Sequence, residues 1–462
     1  MNIKNSNTFL KNFIFFPLLL YFGKRSLVAY DEGFYVVQAR WILDKANWVA
    51  PIWWDSVNID RTNSIQILLA LSRSLFGESL FIFYLPTLIA SIFMILFTYQ
   101  LHKELISNKN PIYSAIILTT TLLWITYANM ATQDIIFASI ITFGILNTIR
   151  AYTKNKKYNL LASGMWVGFA FMFKTYLTVI PFCAILPFLY KSRIILRKYF
   201  WIGLFIGFFP FILWSYICIT TYNFESYMGI YRKLITLSGN NNFTNPPYYY
   251  LWNLTINIFP WSLLSLLGFL KAYKLNSLSR YFLFFYPVFI IILLSLFSTK
   301  TPYYPLQIFS LISINSYLGI KYLVEKKGTD KLLNFEKINY IFIPFVLIIG
   351  VIILNFSNLV SFDLRGKIFI SIGISLFSIS WISFIFAKNN KRKFILTLLG
   401  PYLLMIFLVQ SGLITDKSKS LRIASEDLIK SEKLFSSSLK IVKSDIKDDL
   451  SQSKIIKIMT LM

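Results

Sequence analysis

The feature that most constrains this chain is a series of apolar runs, each about as long as a membrane-spanning helix. A helix needs about 20 mostly apolar residues to cross the hydrocarbon core of a bilayer. Runs of suitable length are 9–27, 79–100, 111–128, 132–151, 158–173, 175–190, 199–220, 248–270, 281–298, 303–323, 338–356, 367–387 and 394–411. Only 14% of the residues are charged, which is too few to cover the surface of a soluble protein of this length. The sequence therefore predicts an all-α polytopic membrane protein with about thirteen transmembrane helices.

Clusters of Lys and Arg flank alternate spans. They are Arg150/Lys154/Lys156/Lys157, Lys191/Arg193/Arg197/Lys198, Lys271/Lys274/Arg280, Lys321/Lys326/Lys327/Lys331/Lys337 and Lys388/Lys391/Arg392/Lys393. Threading thirteen spans puts every cluster on one side, which the positive-inside rule makes cytoplasmic. We therefore expect a multi-pass protein of the plasma (inner) membrane. The net charge of +26 is explained by these loops, so nucleic acid is not an expected partner.

The same threading puts a different set of segments on the outer side. The first outer loop, 30–78, contains two stretches with helical periodicity, at its start around Phe34, Val37 and Trp41 and again over 63–76. They predict two short interfacial helices, the second ending at Gly77. We expect a membrane domain over 1–411 and a small, partly helical extracytoplasmic tail over 412–462.

Ionisable residues at the membrane-facing ends of spans are candidates for function, because charge at membrane depth is costly. The candidates on the predicted outer face are Asp31, Asp60, Arg61, Asp134, Lys174 and Lys300, with Tyr303 and Tyr304 beside them. Carboxylates can deprotonate a hydroxyl or amine or hold a cation, and Arg, Lys and Tyr can bind phosphate oxygens. Such a cluster at the outer interface suits a lipid-linked phosphate substrate.

Each candidate also has an ordinary structural interpretation. Asp31 and Asp134 could cap helices, with Glu32 a solvated residue of the first turn. Asp60 and Arg61 could form a weak interfacial ion pair, and Lys174 could extend its ammonium to the interface. Lys300, Tyr303 and Tyr304 could belong to an interfacial belt. What favours function is that all of them project to one face.

Cysteine and histidine content excludes several kinds of site. Cys183 and Cys218 both lie in apolar runs and offer no disulfide framework or metal-binding spacing. His102 is the only histidine, so a site built from several histidines is impossible.

The order of motifs resembles the GT-C superfamily of integral-membrane glycosyltransferases, in the branch of the lipid A aminoarabinose transferases and protein O-mannosyltransferases. The resemblance begins at YDEGFYVVQARWILDKANWVAPIWWDSVNIDRTN and continues through LFGESLFIFYLPTLIAS, NMATQDIIFASIITF, GFAFMFKTYLTVIPF, FPW and KTPYYPL. These blocks cover residues 28–320 in family order, and the order is more specific than any single block.

The resemblance implies roles for individual residues. Asp31 corresponds to the catalytic aspartate of the first loop and Asp134 to a second acidic position. Asp60 takes the place of a metal-coordinating glutamate, and Arg61 that of a lysine. Lys174 and Tyr304 match residues on the donor phosphate, and Lys300 is a further phosphate-binding candidate.

Two departures from the family pattern concern the metal. Asp60-Arg61-Thr62-Asn63 replaces an acid–Lys–Pro–Pro sequence, and the outer-loop histidine expected near Tyr231-Arg232 is missing. A divalent metal ion, the one cofactor that the resemblance implies, would therefore rely on Asp60 and other oxygen ligands, which favours a hard ion over zinc.

The implied reaction is transfer of a hexose or pentose from a polyprenyl-phosphate donor, with inversion, to a glycolipid or protein acceptor on the outer side. The sequence leaves the sugar and the acceptor open, and lipid A is one of several candidates. A polysaccharide ligase or polymerase is an alternative with overlapping chemistry. A lipid-linked-sugar transporter or flippase would require midplane charges or paired broken helices, a pattern that the sequence does not indicate. A non-catalytic membrane scaffold is the remaining alternative, and membrane lipids are expected neighbours of every class.

Overall fold

The protein is described by a computed structural model that covers residues 25–28, 32–53, 56–77, 79–239, 244–325, 338–356 and 363–431. Asp31 and nearly all of the first predicted span, 9–27, lie outside these residues. The described chain is almost entirely helical.

The helices, in chain order, are α1 (Phe34–Asp44), α2 (Ser64–Phe76), α3 (Leu85–Leu105), α4 (Pro111–Thr119), α5 (Leu122–Ala128), α6 (Asp134–Lys154), α7 (Lys157–Lys174), α8 (Val179–Lys191), α9 (Lys198–Tyr227), α10 (Gly229–Gly239), α11 (Tyr249–Asn257), α12 (Ser262–Ala272), α13 (Ser277–Arg280), α14 (Tyr286–Leu296), α15 (Phe309–Glu325), α16 (Ile343–Phe356), α17 (Leu364–Phe386), α18 (Asn390–Gln410) and α19 (Lys419–Ser431). Short 3-10 or π segments cover Ile82–Tyr84, Thr175–Thr178, Ile194–Leu196, Tyr281–Phe285, Tyr304–Ile308 and Ile338–Phe342. Strands β1 (Ile52–Trp53) and β2 (Ser56–Val57) form an antiparallel hairpin, with Ile52 opposite Val57.

The described residues contain eight helices that are long and apolar enough to cross a membrane, or up to ten if each of two bent helix pairs is one span. The all-α membrane architecture is thus confirmed, and the count of thirteen spans is not. The chain is an integral membrane protein. The two helices expected in the first loop are present as α1 and α2, and α2 ends at Gly77, whose φ of 86° is easy only for glycine.

Two bent helix pairs were not expected from the sequence. The α4–α5 pair bends by 70° and the α11–α12 pair by 113°. The two breaks meet: the Leu122 N–H donates to the Phe259 carbonyl (3.0 Å), and the Trp261 indole donates to the Thr120 hydroxyl (3.1 Å). Neither break carries an ionisable side chain. The breaks therefore satisfy some of each other's polar groups, as buried backbone in a membrane requires.

Helices α7 and α9 pack in parallel through glycines. Gly164 and Gly168 of α7 face the backbone of Phe200 and Gly207, and a Cβ at either glycine would lie 2.1 Å from backbone atoms of α9. Gly203 and Gly207 of α9 face Leu161 and Met165 in the same way. Two small-xxx-small motifs thus allow close backbone contact. Because the helices are parallel, their C-terminal ends lie at the same end of the bundle.

Charged residues lie at both ends of the α6–α7 hairpin. At one end, Glu104 accepts hydrogen bonds from Arg150 (2.9 Å) and Lys154 (2.7 Å). At the other end, Asp134 begins α6 and Lys174 ends α7. A helix of 21 residues separates the two ends by about 30 Å, the thickness of the hydrocarbon core.

We predict that Gly207→Ala destabilises the protein, because the new methyl group would lie 2.1 Å from the Met165 carbonyl oxygen. Overpacking of this kind costs roughly 1–3 kcal/mol and should lower the thermal unfolding midpoint. Gly350→Ala is the control, since nothing lies within 4 Å of its Cβ position and alanine favours a helix. Equal midpoints for the two variants would contradict the glycine-mediated contact.

Candidate functional site

The site is built around Asp60 and Arg61, which lie in the loop between β2 and α2. The Asp60 carboxylate accepts two hydrogen bonds from the Arg61 guanidinium, from Nε (3.0 Å) and Nη2 (2.8 Å). Arg61 Nη1 donates to the Tyr35 hydroxyl at 2.6 Å. The guanidinium also lies over the rings of Phe34 and Tyr35, 5.8 and 5.4 Å from the centroids. Helix α1 and the loop thus fix the direction of Arg61.

Lys233 completes this group from the other side. Its ammonium donates to Asp60 Oδ2, so the carboxylate lies between two cations. Lys233 is carried by α10, which begins at Gly229 against the Ile59 carbonyl. The Asp60, Arg61 and Lys233 side chains are only 20–31% exposed, so their mutual attraction is only partly screened by water.

The charges around Asp60 determine its protonation. Burial alone would raise the pKa of Asp60, but the charges and hydrogen bonds of Arg61 and Lys233 outweigh it and lower the pKa to about 2. Asp60 is therefore ionised at neutral pH, and the three side chains together carry one net positive charge.

A second ion pair joins two helix ends. Lys174 Nζ lies 2.6 Å from Asp134 Oδ1, and both side chains are nearly buried, at 12% and 9% exposure. The Lys174 ammonium also lies over the Tyr303 ring, 4.7 Å from its centroid. Helix α7 ends at Lys174, and the next residue, Thr175, has φ 30° and ψ −109°, well outside helical values. The break directs the Lys174 side chain to the start of α6.

Hydrogen bonds and tyrosines connect the two ion pairs. The Thr62 and Ser64 hydroxyls both donate to the Met172 carbonyl, two residues before Lys174. Tyr176 interacts electrostatically with Asp60 and Arg61. Tyr304 interacts in the same way with Tyr176, Asp134 and Tyr35. The sequence-predicted residues Asp60, Arg61, Asp134, Lys174 and Tyr304 are thus brought together.

Lys300 has a different environment. Its residue is 4% exposed, and Nζ donates to the backbone carbonyls of Asn245 (2.8 Å) and Phe297 (2.6 Å). Among the described contacts, the ammonium thus joins two backbone segments and makes no contact with either ion pair. Its phosphate-binding role stays a prediction from the sequence, as does the general-base role of Asp31, which lies outside the described residues.

Glu32 is not solvated, contrary to one interpretation of the sequence. It is 2% exposed, and its carboxylate accepts the N–H groups of Val28 (3.0 Å) and Ala131 (2.8 Å). Burial raises the pKa of Glu32, although these hydrogen bonds and the charges of Lys417 and Arg25 counter it, and the resulting value is about 7. Sequence periodicity could not reveal this, because the partners come from distant segments.

The described residues do not fit the metal site that the resemblance implies. Both Asp60 oxygens already accept hydrogen bonds from cationic groups, and in the described ranges no group of three or more His, Cys, Asp or Glu side chains could hold an ion. A metal ion at Asp60 would need further oxygen ligands, but the neighbouring group is the Lys233 ammonium, which is a cation. The metal at Asp60 therefore stays a prediction, and we assign it no step.

Lys233 and Tyr35 are site residues that sequence reasoning missed. Lys233 follows directly on Tyr231-Arg232, where the family pattern would place a histidine. This position in the family pattern could have pointed to Lys233, but a lysine in a predicted outer segment does not by itself indicate a functional site. Tyr35 lies in α1, a helix that was predicted from its apolar residues alone.

The arrangement has donors to spare for an anion. Arg61 uses three of its five N–H groups on Asp60 and Tyr35, and Lys233 uses one of three on Asp60. Within the described residues, these hydrogen bonds leave two N–H groups of Arg61 and two of Lys233 unused. Binding of an anion to these N–H groups would not require displacement of the Asp60 carboxylate.

Comparisons with known proteins support the resemblance over part of the chain and show a shared fold. Residues 60–216 match the model of the family described as dolichyl-phosphate-mannose-protein mannosyltransferase. The match begins at Asp60 and includes Arg61, Asp134 and Lys174, but it covers less than half of the chain. No curated protein sequence matches the chain.

Solved structures show the same fold. The crystal structure of ArnT from Cupriavidus metallidurans bound to undecaprenyl phosphate matches with a TM-score of 0.81 and 11% identity, covering 99% of this chain and 85% of that one. The apo form of that ArnT gives a TM-score of 0.73 at 11% identity, covering 98% and 85%. The arabinosyltransferase EmbB from Mycobacterium smegmatis gives 0.52 at 12% identity, covering 89% of this chain and 40% of that one. The chain thus has an ArnT-like fold.

We predict strong coupling between Asp134 and Lys174. Either Asp134→Asn or Lys174→Met leaves one charge almost buried without its partner, which costs roughly 3–5 kcal/mol. The double variant removes both charges and should recover part of that loss, with a coupling of about 1–3 kcal/mol.

Thermal unfolding of the purified protein in nanodiscs measures this coupling. The control is the Lys419–Asp363 pair, 2.6 Å apart but with side chains 41% and 43% exposed, for which we expect almost no coupling. Additive effects at Asp134 and Lys174 would show that the pair is not the junction described.

Proposed function

We propose that this protein is a glycosyltransferase that moves a sugar from a polyprenyl-phosphate donor to a glycolipid or protein acceptor. The observation that carries the proposal is the cluster of Arg61 and Lys233 around Asp60, with Lys174 nearby, inside an ArnT-like fold. Fixed cations with unused N–H groups suit the phosphate of a lipid carrier.

The proposed chemistry places Arg61 and Lys233 on the oxygens of the donor phosphate. As the bond between the anomeric carbon and the phosphate oxygen breaks, negative charge grows on the leaving phosphate, and these cations stabilise it. Lys174 and Tyr304 assist, with Lys174 held in place by Asp134. Because Arg61 is already held by Asp60 and Tyr35, little reorganisation is needed.

The acceptor hydroxyl supplies the new bond. Its oxygen attacks the anomeric carbon opposite to the phosphate, which inverts that carbon. Asp31 takes the hydroxyl proton as general base, and the polyprenyl phosphate leaves with the electron pair of the broken bond. Asp134 contributes by orienting Lys174, and by helping to position the acceptor.

We place the reaction on the extracytoplasmic face of the plasma (inner) membrane. Two observations support this location. The Lys and Arg clusters of the loops mark the opposite side as cytoplasmic, and Asp134 and Lys174 form their ion pair at the other end of the helices. A lipid-borne donor is reasonable there, because nucleotide sugars are not available outside the cytoplasm.

We expect Asp31→Asn to abolish transfer while leaving the protein folded, because asparagine cannot accept the acceptor proton. Transfer from a polyprenyl-phosphate sugar is measured with purified protein, and thermal unfolding provides the folding control. Wild-type activity in a folded Asp31→Asn sample would remove Asp31 from the mechanism.

Arg61→Ala should weaken donor binding, because charge-assisted hydrogen bonds contribute about 1.5–3 kcal/mol each. We expect a rise of roughly 10- to 100-fold in the KM or Kd for the donor. Arg232→Ala is the matched control, since Arg232 neighbours Lys233 but its side chain is 64% exposed and pairs with the exposed Glu225. Unchanged donor affinity in Arg61→Ala would refute the phosphate role.

A further inference from the structure

The described residues that follow the last long helix contact the other end of the described chain. Residues 414–422, here called the C-terminal strap, run beside residues 25–28 at the other end of the chain. Ser26 and Asp416 form an isolated parallel bridge, in which the Ser26 N–H donates to the Thr415 carbonyl at 3.2 Å. The Ser418 N–H donates to the Ser26 hydroxyl (2.6 Å), and the Ser418 hydroxyl donates to the Leu27 carbonyl (3.2 Å).

A buried ion pair holds the strap closed on itself. Arg422 Nη2 lies 2.8 Å from Asp416 Oδ2, and both side chains are only 6% exposed. Arg422 also pairs with Glu426 in α19, at 2.6 Å. A pair so well removed from solvent fixes the backbone of the strap where it meets Ser26.

The residues that the strap holds lead directly to Glu32. Val28 follows Ser26 and Leu27, and its N–H donates to the Glu32 carboxylate, while the Glu32 and Gly33 N–H groups return to the Val28 carbonyl (3.1 and 2.8 Å). Val28 and Glu32 lie on either side of the three residues that include Asp31. The strap therefore holds the described residues on both sides of positions 29–31.

The other contact of Glu32 leads to the second half of the site. Its carboxylate accepts the Ala131 N–H at 2.8 Å, three residues before Asp134. Arg25 reinforces the same junction, with its guanidinium 3.1 Å from the Asn129 side chain and 4.4 Å from the Tyr84 ring centroid. Among the described residues, the charged and titratable groups that face Glu32 are Arg25, Tyr84 and Lys417 of the strap.

We propose that the C-terminal strap is a positioning element of the catalytic site: by binding Ser26 and Leu27 it fixes Val28 and Glu32, and through Glu32 the turn that precedes Asp134. This inference rests on the proposed function for its effect on catalysis, but not for its effect on structure. Neither the strap nor Glu32 takes part in bond making or breaking.

The test uses full-length protein in nanodiscs with substitutions on the strap contacts. Ser26→Ala removes the oxygen that accepts the Ser418 N–H, and Ser26→Thr restores it. Lys417→Met removes the charge that faces Glu32, and Lys417→Arg keeps it. Lys419→Met is the control within the strap, because the Lys419 side chain is exposed and pairs with the exposed Asp363 rather than with Ser26, Leu27 or Glu32.

Amide hydrogen exchange reports on the contacts of Glu32 because the Val28 and Ala131 N–H groups donate to its carboxylate. This measurement does not require an active protein. We expect the amides of Val28 and Ala131 to exchange at least tenfold faster in Ser26→Ala, and at the wild-type rate in Ser26→Thr and Lys419→Met. Unchanged exchange in Ser26→Ala would overturn the proposal.

Transfer kinetics then separate positioning from general stability. We expect Ser26→Ala to lower kcat about tenfold with little change in donor KM, and Ser26→Thr to restore it. In Lys417→Met, loss of the positive charge should shift the acid limb of the pH–rate profile to higher pH, because the ionised Glu32 that accepts both N–H groups is disfavoured. Lys417→Arg should not shift it.

The outcomes distinguish the two proposals. Faster exchange with a lowered kcat supports the strap as a positioning element. Faster exchange with unchanged kcat and pH profile overturns its link to catalysis. If the wild-type protein shows no transfer at all, the proposed function fails, and the exchange rates still decide whether the strap fixes Glu32.

Discussion

The close packing of α7 against α9 determines where the charges of the site lie. Glycines on both helices let their backbones meet, and the two helices run in parallel. Lys174 lies at the C-terminal end of α7. Beyond the C-terminal end of α9, the chain continues into α10, which carries Lys233.

Asp60 converts those separate charges into one site. Its carboxylate accepts bonds from Arg61 and Lys233, so it offsets the repulsion between two cations that must lie close together. It does not neutralise them fully, and the remaining positive charge is fixed in direction by Tyr35. Donors that are already oriented can stabilise a developing negative charge without reorganising. This is the physical reason for preferring an anionic, phosphate-bearing substrate.

The parts that could be read from the sequence are those with a local physical signal. Apolar run length predicts membrane helices because the bilayer imposes it. Asp134, Lys174 and the pair Asp60-Arg61 were found because charges near the membrane are costly and stand out. The helix break at Lys174 was visible as an interruption of an apolar run.

The parts that could not be read depend on distant contacts. The bent helix pairs satisfy each other across more than a hundred residues, as the bond from Trp261 to Thr120 shows. Lys233 joins Asp60 from a separation of 173 residues. The burial of Glu32 could not be predicted because its amide partner Ala131 lies far along the chain. Periodicity reports which face of a helix is apolar, but not which remote backbone group will reach it.

The central claim is that the Asp60-centred cations bind the phosphate of a lipid carrier. An experimental structure of the protein with bound undecaprenyl phosphate tests it most directly. The account predicts phosphate oxygens within about 3 Å of nitrogens of both Arg61 and Lys233, the length of a charge-assisted hydrogen bond. A phosphate bound elsewhere, with the Arg61 and Lys233 side chains making only their contacts to protein, would contradict it.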